Sequence, residues 1–145
     1  MLALALLVAG CGGGGDDSST GPTISKAAFI KKADAICSGG NKRMEASLAH
    51  FFQEGKKIKR PSKADFEELV GKVVVPNLRQ EIKEIRALGA PSGDEDKVDE
   101  ILTALEEGLE TAEGNPQAAV DSSEVVFGIS SRLAREYGLE VCSSR

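Results

Sequence analysis

The chain has 145 residues, of which 41% are hydrophobic but only 4% aromatic, with no tryptophan and a formal net charge of −5. A protein that binds phosphate backbones is expected to carry a basic surface and a high isoelectric point, so a sequence pI near 5.0 argues against nucleic acid as a partner. A core drawn from Leu, Ile, Val, Ala and a few Phe favours packed helices over a β-sandwich, and the length suits one domain.

At the start, Met1 to Ala9 is unbroken apolar sequence, Val8-Ala9-Gly10 leads into Cys11, and four glycines follow at once. An apolar run that ends in small residues before a cysteine resembles the lipobox of bacterial lipoproteins. The resemblance implies that residues 1–10 are a signal peptide removed before Cys11. It also implies an acyl (palmitate-type) lipid on the Cys11 thiol, and a protein held on the extracytoplasmic side of a cell membrane. A leader normally opens with Lys or Arg and runs to about 15–30 residues, so the true start is expected upstream. The stretch is too short to cross a bilayer, which takes about 20 apolar residues. Residues 11–24, rich in Gly, Asp, Ser and Thr, read as a flexible tether spanning roughly 20 Å.

The folded domain is expected over 25–145. Ser25 suits an N-cap, and Phe29, Ala33, Ile36, Cys37, Gly40, Met44, Leu48 and Phe51 recur at helical spacing. Gly39-Gly40 weakens that helix by about 1 kcal/mol per glycine, so either a kink or a break with Asn41 as a fresh cap is expected there. The same glycines would admit another backbone beside Cys37. The pattern stops over Glu54 to Lys63. Pro61-Ser62 with Asp65 then reads as a capping-box-type start to a second helix, carried by Phe66, Leu69, Val70, Val73, Val74, Leu78, Ile82, Ile85 and Leu88. Pro76 inside that run predicts a kink or split. Gly89-Ala90-Pro91 ends it.

Ser92 or Asp94 starts a third helix, with Val98, Ile101, Leu102, Leu105, Leu109 and Ala112 on one face. Gly114 closes it. Asn115 as N-cap and Pro116 at the first helical position open a fourth, which uses Ala119, Val120, Val126, Phe127, Leu133, Ala134 and Tyr137 and stops at Gly138. Four amphipathic helices with short connections predict an all-α, antiparallel up-down-up-down four-helix bundle. The end of helix four then returns towards the start of helix one.

With Cys11 taken by lipid, the other two of three cysteines, Cys37 and Cys142, form an even pair in an oxidising compartment. A disulfide is expected, with two buried free thiols as the alternative. For a loop of this length chain entropy predicts about 4–5 kcal/mol of stabilisation. Five residues beyond Tyr137 reach at most about 17 Å, so the tail must fold back along helix one near Gly39-Gly40, or helix one must extend beyond helix four. The segments Phe29 to Cys37 and Tyr137 to Cys142, together with Pro91-Ser92-Gly93-Asp94-Glu95, are similar to small helical lipoproteins of actinobacteria. That resemblance carries no known activity.

Catalytic groupings are not legible. His50 is the only histidine, which leaves a triad, a zinc-water site or a di-iron site without its parts. It also falls about 140° round the helix from Cys37, on the expected surface. Haem lacks a C-x-x-C-H attachment, and Met44 shares a helix with His50. Asp94, Glu95, Asp96, Asp99 and Glu100 lack calcium-loop spacing and suit the dipole of a helix start. Ser122-Ser123 and Ser130-Ser131 read as helix surface. No cofactor and no metal are expected. Lys56, Lys57, Lys59, Arg60 and Lys63 make one basic run, a candidate loop for anionic lipid, an anionic wall polymer or an acidic envelope protein; a solvated turn is the alternative. Because helix one would hold this loop roughly 40 Å from the tether, it should point away from the membrane. The expected function is therefore non-enzymatic: a membrane-anchored binding or envelope-structural module. The alternative is a hydrolase or small-ligand carrier using carboxylates that only the fold assembles.

Overall fold

The computed structural model describes residues 23–53 and 62–144, and among these every regular element is helical. Helix α1 spans Lys26–Gln53. Ser25 caps it, its Oγ accepting from Ala28 N–H at 3.3 Å. The helix runs through Gly39-Gly40 without interruption, so of the expected kink or break the break, with Asn41 as a fresh cap, does not occur. The packing of α1 on α3 outweighs the roughly 2 kcal/mol by which two glycines disfavour helix.

Helix α2, Lys63–Leu69, begins with the expected capping box: Ser62 Oγ accepts from Asp65 N–H, and Asp65 Oδ2 accepts from Ser62 N–H at 2.8 Å. It passes through a π-helical turn, Val70–Val74, into α3, Val75–Arg86. Pro76 stands in the first turn of α3, so the disruption expected around it takes the form of a π turn and not of a gap between helices. The wide turn places the Val75 N–H on Val70 C=O, five residues back, and opens room where the proline ring would otherwise meet the preceding turn. Asn77 Nδ2 donates to Val73 C=O at 2.8 Å beside it. The extra residue also shifts the buried face, so Val75 is core and Val74 only partly buried.

Helix α4 spans Glu95–Gly114. Asn115, with Pro116 behind it, caps α5, Pro116–Asp121, its Oδ1 accepting from Ala118 N–H at 3.3 Å. The fourth expected helix is two helices: Ser122, at φ −153° and ψ 75°, breaks it, and α6 runs over Ser123–Tyr137. Val120, expected in the core, is consequently exposed. Gly138 ends α6 in the left-handed region at φ 105°, a conformation glycine adopts without a Cβ penalty.

Side-chain pairings fix the directions of neighbouring helices. Ser47 meets Asn77 while Cys37 meets Glu81, which sets α1 against α3. Arg79 pairs with Glu113 and Arg86 with Glu106, setting α3 against α4. Tyr137 meets Asp94, and the backbones of α4 and α6 close together at Gly108, where a Cβ would stand 2.9 Å from the Val126 carbonyl oxygen. Each pair is antiparallel, as the short connections require. One end of the core gathers Phe29, Cys37, Ile85, Leu102, Tyr137 and Cys142, and the other gathers Val70, Leu78, Ile82, Leu109 and Phe127. No helix of the described residues is long and apolar enough to cross a membrane.

Candidate functional site

Cys37 and Cys142 are joined, with Cα atoms 5.2 Å apart. After Gly138 the tail runs along α1: Gly138 lies against Ile30, and the N–H groups of Val141 and Cys142 both donate to Asp34 Oδ1, at 3.0 and 3.2 Å. The tail thus folds back beside helix one, one turn short of Gly39-Gly40. Asp34 supplies an acceptor for backbone donors that no helix serves. Cys37 is wholly buried and Cys142 nearly so.

Against this disulfide lies a carboxyl that pattern reading passed over. Glu81 on α3 is 1% exposed, with Oε1 3.1 Å from Cys37 Sγ. Within a disulfide Sγ carries no hydrogen, so this is a sulfur–oxygen contact and not a hydrogen bond. The other oxygen, Oε2, occupies the place a Cβ on Gly40 would take, and Glu81 Cδ lies 3.1 Å from that same position. Gly40 is therefore bare so that a carboxyl, rather than a backbone, can enter beside Cys37. A cavity of about 20 Å³ adjoins them, lined by Phe29, Ile85, Leu102, Leu105 and Leu139 and by one further polar group, Ser130. Ser130 is buried, contrary to its expected place on the surface, because the α6 face turns inward there; its hydroxyl donates to Phe127 C=O at 2.9 Å. A legible signal did exist: Glu81 is the one acid on the stripe Leu78, Ile82, Ile85, opposite glycines on the facing helix.

A second polar cluster closes the same end of the bundle. Tyr137 donates its phenol to Asp94 Oδ2 at 3.0 Å and stacks edge-on against Phe29, centroids 6.0 Å apart. Lys26 Nζ stands 4.1 Å above the Tyr137 ring, and Lys97 Nζ is 2.9 Å from Asp94 Oδ1. Burial, followed by the bond to Asp94, pushes the Tyr137 phenol up to about 12. The hydrogen bond from Lys97 leads in holding the Asp94 carboxyl below the usual range, with Tyr137 and Lys26 adding to it against the effect of burial. Asp94 precedes α4 yet makes no side-chain cap; it ties α1, α4 and α6 together instead. Among the described residues, no group of three or more His, Cys, Asp or Glu is placed to hold a metal.

Of the remaining expected sites, Cys11 and the loop residues Lys56, Lys57, Lys59 and Arg60 lie outside the described residues. Lys63 opens α2, exposed, with Nζ 3.6 Å from Glu67. His50 is exposed, as its angle on the helix predicts. Sequence reading missed one surface feature: Val125 and Ile129, one turn apart on α6, are 80% and 63% exposed. No protein-family model, no curated protein and no solved structure matches this chain.

Proposed function

We propose that the chain is a lipid-anchored, extracytoplasmic helical module that binds an envelope partner and is not an enzyme. The observation that carries this reading is the Cys37–Cys142 disulfide set in the domain core, because buried structural disulfides belong to oxidising compartments. That leaves Cys11, after Val8-Ala9-Gly10, as the odd cysteine for a lipid. Binding rather than chemistry is supported by what the helices present outward. On α6 the Val125 and Ile129 side chains are exposed, and in the sequence the basic run Lys56, Lys57, Lys59, Arg60 and Lys63 carries the charge that would suit an acidic protein or an anionic wall polymer.

The reading as a carboxylate-based hydrolase or small-ligand carrier rests on Glu81. Its adjoining cavity of about 20 Å³ has room for about one water, far below the several hundred Å³ of an ordinary ligand pocket. Metabolic labelling with a lipid analogue, comparing the wild type with Cys11→Ser, tests the anchor: label should enter the wild type alone, and equal labelling sinks the proposal. Capture of partners from detergent-solubilised envelope then tests the binding role.

A further inference from the structure

We propose that Glu81 is the proton acceptor for the Cys37 thiol when the domain's disulfide closes, so that the bond forms by an internally assisted thiol–disulfide exchange entered through Cys142. The contact that in the closed state joins Glu81 Oε1 to Sγ at 3.1 Å is donor-to-acceptor distance for an S–H once Cys37 is a thiol. Gly40 holds the space for that carboxyl, since a Cβ there would strike Glu81 Oε2. The two cysteines are also unequal. Cys37 sits in the middle of the 28-residue helix α1 and is 0% exposed, while Cys142 is 9% exposed on the short tail after Gly138. An external oxidant therefore meets Cys142 first.

The step balances as follows. A disulfide oxidant RS–SR exchanges with the Cys142 thiolate, giving Cys142–S–S–R and one RS⁻. Cys37 S–H passes its proton to Glu81, the resulting thiolate attacks Cys142 Sγ, the Cys37–Cys142 bond forms and the second RS⁻ leaves. The two cysteine thiols lose two electrons and RS–SR gains them; the Glu81 proton goes on to solvent. A thiol is a nucleophile only as thiolate, and an apolar site such as this one keeps a cysteine protonated unless a base stands beside it. Around the pair, Asp34 is engaged by the tail N–H groups and Arg43 and Glu84 hold each other at 3.2 Å. The α4 and α6 residues lining the adjoining cavity, Ile101, Leu102, Ala134 and Ser130 among them, are uncharged.

The test uses the full chain with Cys11→Ser, reduced and then mixed with a symmetrical nitrobenzoate disulfide, so that release of the second nitrothiobenzoate reports closure. Mass spectrometry of the trapped intermediate should find the aryl group on Cys142; finding it on Cys37 overturns the proposal. In Glu81→Gln closure at neutral pH should slow by roughly 100-fold, the scale of a lost general base, and recover as pH approaches the thiol's own range near 8.5. Closure at the wild-type rate overturns it, whether the reduced chain is folded or not. Should Glu81→Gln fail to fold, the wild-type profile decides. A rate nearly flat below the thiol range supports the carboxyl as acceptor, and a rate that climbs about tenfold per pH unit, as free thiolate alone requires, refutes it.

Discussion

Two adjacent glycines should respond to the same substitution with opposite signs. In Gly39→Ala the new methyl meets only Arg43 Nη1, at 3.5 Å, an ordinary contact, so the variant keeps the intrinsic helix gain of about 0.5–1 kcal/mol that alanine has over glycine. In Gly40→Ala the same gain is set against a methyl that strikes the Glu81 carboxyl. Overpacking costs about 1–3 kcal/mol, and a buried polar group forced from its place adds roughly 1–3 kcal/mol. The balance is a destabilisation of about 1–5.5 kcal/mol, and the two variants should differ by about 2–6 kcal/mol. Urea denaturation followed by circular dichroism measures both, with unchanged slopes showing that stability alone has moved. A double-mutant cycle sharpens the cause: with Glu81→Ala as background the penalty at Gly40 should largely vanish, because the group it strikes is gone. Gly40→Ala as stable as Gly39→Ala would refute the account of why Gly40 is bare.

The other predictions span the remaining contacts. Reducing the Cys37–Cys142 bond should lower stability by about 4–5 kcal/mol, from the chain entropy of a loop with sequence separation 105; a loss below about 1 kcal/mol in denaturant titration would contradict the bond as the clasp of the domain. Tyr137 is the single tyrosine, so phenolate absorbance reads it alone: it should titrate near 12 rather than its ordinary 10.0, and closer to the ordinary value in Asp94→Asn. Its proton is held more tightly folded than unfolded, so its stabilisation is complete below pH 10.0 and is lost as pH rises towards 12. For Asp94 the sign reverses: its carboxyl is held below 3.8, so its contribution is present above that value and fades as pH falls through the lowered one. Replacing exposed Val125 and Ile129 by Ser should change folding stability by less than about 0.5 kcal/mol yet reduce partner capture from solubilised envelope; unchanged capture removes that face from the binding surface.

Most helix boundaries were written in local chemistry that acts within one turn. Ser25, Ser62 with Asp65, and Asn115 with Pro116 mark starts through caps, and Gly138 marks an end because only glycine enters the left-handed region cheaply. Apolar spacing found the buried faces of α1, α3 and α4, and cysteine parity found the Cys37–Cys142 pair. What tertiary structure alone decided were the places where two segments compete for one space. Pro76 is accommodated at the start of α3 by the π turn that joins it to α2, and Val70 and Val75, on either side of that turn, are both buried in the core. Ser122 breaks the fourth helix where periodicity ran on, because α5 packs on both α2 and α4 while α6 packs chiefly along α4. Glu81 looks, in sequence, like one acid among many, and Gly40 like a weak point in α1; only the antiparallel register of α1 and α3 brings the carboxyl, the missing side chain and the disulfide to one point. Periodicity reports which face of a helix turns inward. It cannot report which residue of the facing helix stands opposite, because that depends on how the two helices slide past each other until their side chains fit.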